Sequence, residues 1–269
     1  MTLARLSRNP FLRRELELRA SGDPSYQLFA YNGPGLMLML VLMPVVQGLS
    51  LATLGAAEGD ESGLGVLFLV TVWMLGVYFS HAAARLSAGS LAIEVERGTV
   101  DALRLAPLPP ADLLVGKYVA SIAPLLVEVA ACGGLLAPYA LFGAVAWTTL
   151  ALVMLLEGGV VLLCGMIGLY WSLHGRDVMS ALSRAFGTVL ALNTLPLVAA
   201  AFLKLAHDMS FPGVMQLSPL GLSTLLVHFE PLDGLGLLRD ASTVGLLLLL
   251  WLCCTMLLYR ASLRGLGRR

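Results

Sequence analysis

The sequence predicts an all-α polytopic membrane protein with six transmembrane helices in a single domain spanning residues 1–269. Three observations carry that fold class. Mean hydropathy is +0.85. Apolar residues make up 58% of the 269 positions and charged residues only 13%, about half the share found in a water-soluble domain. Six runs are long and apolar enough to cross a hydrocarbon layer about 30 Å thick, which takes about 20 residues of helix.

The first run, residues 35–54, is uncharged, with Pro44 and Gln47 as its irregularities. The second covers 63–84. The third, 118–141, follows Lys117 and carries Glu128. A short uncharged turn leads to the fourth, 144–170, which carries Glu157. The fifth, 185–205, holds Asn193 and Pro196, and the sixth covers 241–259.

Charge orients these runs, because cytoplasmic loops accumulate Lys and Arg. Fifteen of the 17 basic residues fall before the first run, between the second and third, between the fourth and fifth, or after the sixth. Lys204 and Arg239 are the exceptions, and Glu58, Asp60 and Glu61 make the first intervening loop acidic. Both termini are therefore expected in the cytoplasm, with the chain multi-pass in a plasma (inner) membrane.

Several classes are disfavoured by the same composition. Seventeen basic residues balance 17 acidic ones, so no positive excess is left for nucleic-acid phosphates. The four cysteines, Cys132, Cys164, Cys253 and Cys254, all lie in apolar runs and read as small packing residues, neither a redox pair nor a metal set. No cleavable signal peptide is expected, since 34 largely polar residues precede the first apolar run. No segment between runs is long enough for a soluble core.

Three segments are not spans. In the amino-terminal one, 1–34, Asn9 and Pro10 suit a helix start and Ser21-Gly22 a stop. Phe11, Leu12 and Leu16 interleave with Arg13, Arg14 and Arg19 at helical spacing. That pattern predicts an amphipathic helix in the headgroup layer, with membrane lipid as its partner, or a solvated charged helix.

The cytoplasmic segment 85–117 carries more information. Glu94 and Glu96 precede Arg97 and Gly98, a residue suited to ending a helix. Thr99 can cap a second helix, with Val100, Leu103 and Leu105 as apolar knobs and Asp101 and Arg104 as charged flanks. Asp101 would stand in its first turn, where the helix dipole favours an anion. Pro107 stops it, and Pro109-Pro110 makes a stiff elbow before the third span. The expected product is a short rigid peg beneath the bilayer.

The run from Glu96 to Leu103, then Pro107-Leu108 and Gly116-Lys117, resembles the pattern of type-2 ABC transporter permeases. That family shows Glu-x-x-Gly-Thr-Leu-Glu, a Thr-Pro-Leu-Ser turn and a Gly-Lys before its third span. Here Val100, Asp101, Ala106 and Pro109 stand in place of Leu, Glu, Thr and Ser. Ser218-Pro219-Leu220 is similar to the family's external motif. The resemblance implies that the peg is a coupling helix, seated in a separate ATP-binding subunit through Glu94, Glu96, Arg97, Gly98, Thr99, Val100, Asp101, Leu103, Arg104 and Pro107. It further implies an exporter permease paired with a second copy or a similar chain. No phosphate-loop motif occurs in the sequence. The chain is accordingly expected to be no enzyme and to hold no cofactor of its own, with ATP and magnesium in the partner.

The external segment 207–240 contains about 13 mostly apolar residues broken by Pro219 and Gly221, too short to span. A re-entrant hairpin and a loose loop are both consistent with it.

Glu128 is expected about 16 Å along its helix from Lys117, and Glu157 about 20 Å above the cytoplasmic end of its own. A charged carboxylate at that depth costs at least about 2.5–3.5 kcal/mol. Asn193, Gln47 and His81 are the expected partners. The two acids read either as a polar patch or proton site in a pathway, or as neutral acids bonding between helices. The former allows an alternative function, a stand-alone proton-coupled secondary transporter. That alternative predicts repeated halves, which the sequence does not display.

Overall fold

The computed structural model describes residues 12–14, 17, 61–99, 109–143, 145–207 and 234–268, and those residues form helices and short turns only. Five long helices follow one another: α1 (Glu61–Glu96), α2 (Pro110–Leu141), α3 (Trp147–His174), α4 (Val178–His207) and α5 (Gly234–Arg268). Four of them contain stretches long and apolar enough to cross a membrane: Leu67–Glu96, Pro110–Leu141, Trp147–His174 and Val178–Ala199. The protein is a membrane-embedded helical bundle. The expected first span and Gln47 lie outside the described residues. The sixth apolar run falls within α5.

Each helix is longer than the apolar run that predicts it. α1 passes through Arg85 and stops only at Glu96, and α2 begins at Pro110. The segment 85–117 is therefore helical at both of its ends, through Glu96 and from Pro110, with a turn at 97–99. The reason is local. Residues 82–92 are mainly small residues that the helix accommodates, Gly89 included, and Gly98 is where the backbone first turns to positive φ. Charge does not end a helix when each charged side chain finds a partner. With 36 residues, α1 is about 54 Å long and exceeds the hydrocarbon thickness by about 20 Å.

The helix ends follow the chemistry of their residues. Gly98 has φ +67°. Its N–H donates to the Val95 carbonyl at 3.2 Å, and the Thr99 N–H reaches back to Glu94 at 3.0 Å. This is a Schellman stop, which satisfies two carbonyls at the end of α1. Pro109 is extended, with φ −64° and ψ 139°, and Pro110 takes the first helical position of α2, where a missing N–H costs nothing. Asp112 stands in that first turn. Gly143, with φ +78°, closes α2 before the turn into α3. Asp177 caps α4 by accepting from the Ser180 N–H at 2.6 Å, and Ser180 Oγ accepts in return from the Asp177 N–H at 3.3 Å.

α3 is the centre of the bundle. It packs on each of the other four helices, most extensively on α1. Its α1-facing stripe is small, Gly165, Gly168 and Ser172, and meets Ala84 and Ser87. Lipid tails are as apolar as Leu, so close backbone approach and interhelical hydrogen bonds hold such a pair together. Trp147 at one end of α3 and Tyr170-Trp171 near the other are separated by about 35 Å of helix, the spacing of two interfacial aromatic belts.

Candidate functional site

Two places in the bundle concentrate polar chemistry. The first is the junction where α1, α2, α3 and α4 end on one side. Lys117, two turns into α2, is only 2% exposed. Its Nζ donates to the Ser90 carbonyl at 3.0 Å and stands 3.5 Å from Glu94 Oε1. The Thr99 hydroxyl donates to the other oxygen of the same carboxylate. A chain of contacts thus leads from α2 through Glu94 to the residue just past the turn. Ser172 of α3 adds a second tie. Its Oγ accepts from the N–H groups of Leu91 and Ala92 at 2.9 and 2.8 Å, placing a hydroxyl within the backbone ladder of α1. Glu96 Oε2 accepts from the Val178 N–H at 3.4 Å. Below Ser172, Arg184 lies over the Trp171 ring at 5.6 Å, and Trp171 Nε1 donates to Thr188.

The sequence-predicted residues divide around this junction. Glu94 and Glu96 lie in the last turn of α1, not in a separate short helix; Glu94 faces Lys117 and Thr99, while Glu96 is exposed. Arg97, Gly98 and Thr99 form the exposed turn. Val100, Asp101, Leu103, Arg104 and Pro107 lie outside the described residues, as does most of the external segment 207–240. Of the amino-terminal helix, residues 12–14 and 17 are helical, and Arg13 pairs with Glu17 at 2.9 Å on the surface.

The second place is the bundle interior. Glu128 is half-buried and accepts from the Tyr78 hydroxyl at 3.3 Å. Glu157 is 2% exposed, and its Oε2 is buried without a hydrogen-bond partner among the described residues. Both acids lie some 17–18 residues, about 27 Å, from the junction ends of their helices. Cys132 stands buried one turn beyond Glu128 on α2.

Of the expected partners, Gln47 lies outside the described residues, and Asn193 and His81 make contacts of their own. Asn193 Nδ2 bonds Ser80 Oγ at 3.3 Å and the Val189 carbonyl at 3.1 Å. His81 turns its Nδ1 to the Val77 carbonyl at 2.8 Å and sets its ring at a tilt against Phe186, with centroids 4.4 Å apart. α1 and α4 supply the Asn193 pair, whereas α1 and α2 supply the Glu128 pair, so the polar residues fall on different seams. Hydropathy reasoning missed Tyr78, Ser172 and the role of Lys117. The available signal was a hydroxyl within an apolar run, which needs a partner once it leaves water.

No protein-family model matches the chain, and no curated protein matches its sequence. Geometry and the sequence pattern are what bear on function. Between α2, α3 and α5 runs a groove of about 510 Å³ lined by residues such as Leu126, Met154, Leu248 and Trp251. Its one hydroxyl, Thr255, donates to the Trp251 carbonyl, so the groove offers apolar contact alone.

Proposed function

We propose that this chain is the transmembrane permease subunit of an ABC exporter, a six-span protein with both termini in the cytoplasm. It would form the substrate pathway and couple through residues 97–109 to a separate ATP-binding subunit. One observation carries the reading furthest. The turn that resembles the family's pattern is braced from inside the bundle, the buried Lys117 meeting Glu94 and Glu94 in turn meeting Thr99 at the surface, where an unloaded loop would need no such chain. Arg97 and Arg176 are exposed on the same side of the bundle, as a cytoplasmic face requires.

In this mechanism the partner holds ATP and magnesium and supplies the power stroke. This chain contributes the receiving surface, Glu96 to Thr99 with Val100, Asp101, Leu103, Arg104 and Pro107 beyond it, and the helices that reorganise. Pairing with a second copy or a similar chain completes the route, and an amino-terminal helix rests on lipid.

The test is reconstitution with a candidate ATPase. Replacing residues 99–103 by Gly and Ser is expected to leave insertion intact and to remove stimulation of ATP hydrolysis. Undiminished stimulation would refute the assignment. Glu157 favours a second reading, a stand-alone proton-coupled transporter, because a buried carboxyl with an oxygen unpartnered among the described residues suits a proton carrier. Uptake by liposomes under a pH gradient, with no ATPase present, would favour it.

A further inference from the structure

We propose that Lys117 is a positioning residue that clamps the end of α1 to α2, so that a displacement received at Thr99 moves both helices together. The proposal rests on the permease reading for the source of the displacement, but the clamp itself stands on geometry. An ammonium group is expensive to bury, and an apolar side chain of similar volume often stabilises a core as well or better. A lysine that is 2% exposed is thus better explained by a specific arrangement than by bulk stability. Lys117 reaches two acceptors one turn apart on α1, the Ser90 carbonyl and the Glu94 carboxylate, which fixes both the rotation and the height of α1 against α2. Glu94 is in turn tied to Thr99 through the side-chain hydroxyl and through backbone. α1 has a second restraint at the same level, the Ser172 hydroxyl on Leu91 and Ala92. The two restraints act from opposite partners, α2 and α3, and leave the end of α1 no independent swing.

The experiment uses the full-length chain with its cysteines replaced, spin-labelled at position 97 and at the exposed far end of α2, position 141. In vesicles with the ATPase partner, Lys117→Met is expected to insert normally, to broaden the 97–141 distance distribution, and to lower stimulation of ATP hydrolysis by about tenfold or more. The charge swap Lys117→Glu with Glu94→Lys restores the ion pair but not the bond to the Ser90 carbonyl, and is expected to narrow the distribution and recover the stimulation in part, beyond Lys117→Glu alone. A Lys117→Met distribution as narrow as that of the parent protein would overturn the clamp. So would a folded swap variant no better than Lys117→Glu alone. If the parent chain stimulates no ATPase while Lys117→Met still broadens the distribution, the clamp holds and the permease reading falls.

Discussion

A methyl group built on Gly168 would collide with the carbonyl oxygen of Ala84, standing nearer than any non-bonded carbon can approach. The obstacle is backbone, so no side chain can turn aside to admit it. Gly168→Ala is expected to part α1 from α3 and to cost about 1–3 kcal/mol of overpacking strain. Gly134→Ala on α2 meets open space and is the control, expected to be neutral or slightly stabilising. Unfolding in mild detergent compares the two, and equal shifts would argue against a tight α1–α3 seam.

Tyr78 and Glu128 form one of the polar ties between α1 and α2. Removing the phenol oxygen with Tyr78→Phe is expected to destabilise by about 0.6–1.7 kcal/mol, the range of interhelical hydrogen bonds in membranes. A double-mutant cycle with Glu128→Met, which leaves the phenol no acceptor, should give a coupling energy of that order. Strictly additive effects would show that the bond carries no energy.

Glu157 is in the opposite situation, with a buried oxygen that has no partner among the described residues. Glu157→Met keeps the volume and removes the orphaned polar group, so thermal stability is expected to hold or rise. A large drop in melting temperature would mean that the carboxyl is engaged elsewhere in the chain. Transport by the same variant separates the two functional readings, since only the proton-coupled one requires the acid.

At Gly98 the backbone φ is +67°, and an added Cβ would meet nothing within 4 Å. Conformational preference is then the whole cost. Gly98→Ala should lose about 1 kcal/mol, and Gly98→Asn clearly less, because Asn tolerates the left-handed region. Denaturant unfolding of the two variants side by side tests this ranking.

How much of this was legible in the sequence depends on the kind of residue involved. Apolar runs located the cores of the helices, and the two strong backbone signals, Gly98 and Pro109-Pro110, marked where α1 ends and α2 starts. Hydropathy failed beyond the apolar run. Arg85 and Lys117 looked like loop charge, yet both are helical, since composition cannot tell a solvated cation from one folded against a neighbouring carboxylate. Pairing inside the bundle was also out of reach. Depth along a helix placed Glu128 and Glu157 near one level, but which seam each faces depends on helix rotation, and the small stripe of α3 sets that. Gly165 and Gly168 were in plain view as glycines. Their significance emerges only against Ala84 and Ser87.

The glycine seam and the Ser172 hydroxyl together prevent α1 and α3 from sliding past each other like pistons, because any shift would drive the Ala84 oxygen into the neighbouring turn of α3. Any rearrangement that keeps these contacts therefore moves α1 and α3 as one blade, by tilting the pair and not by shifting one helix along the other.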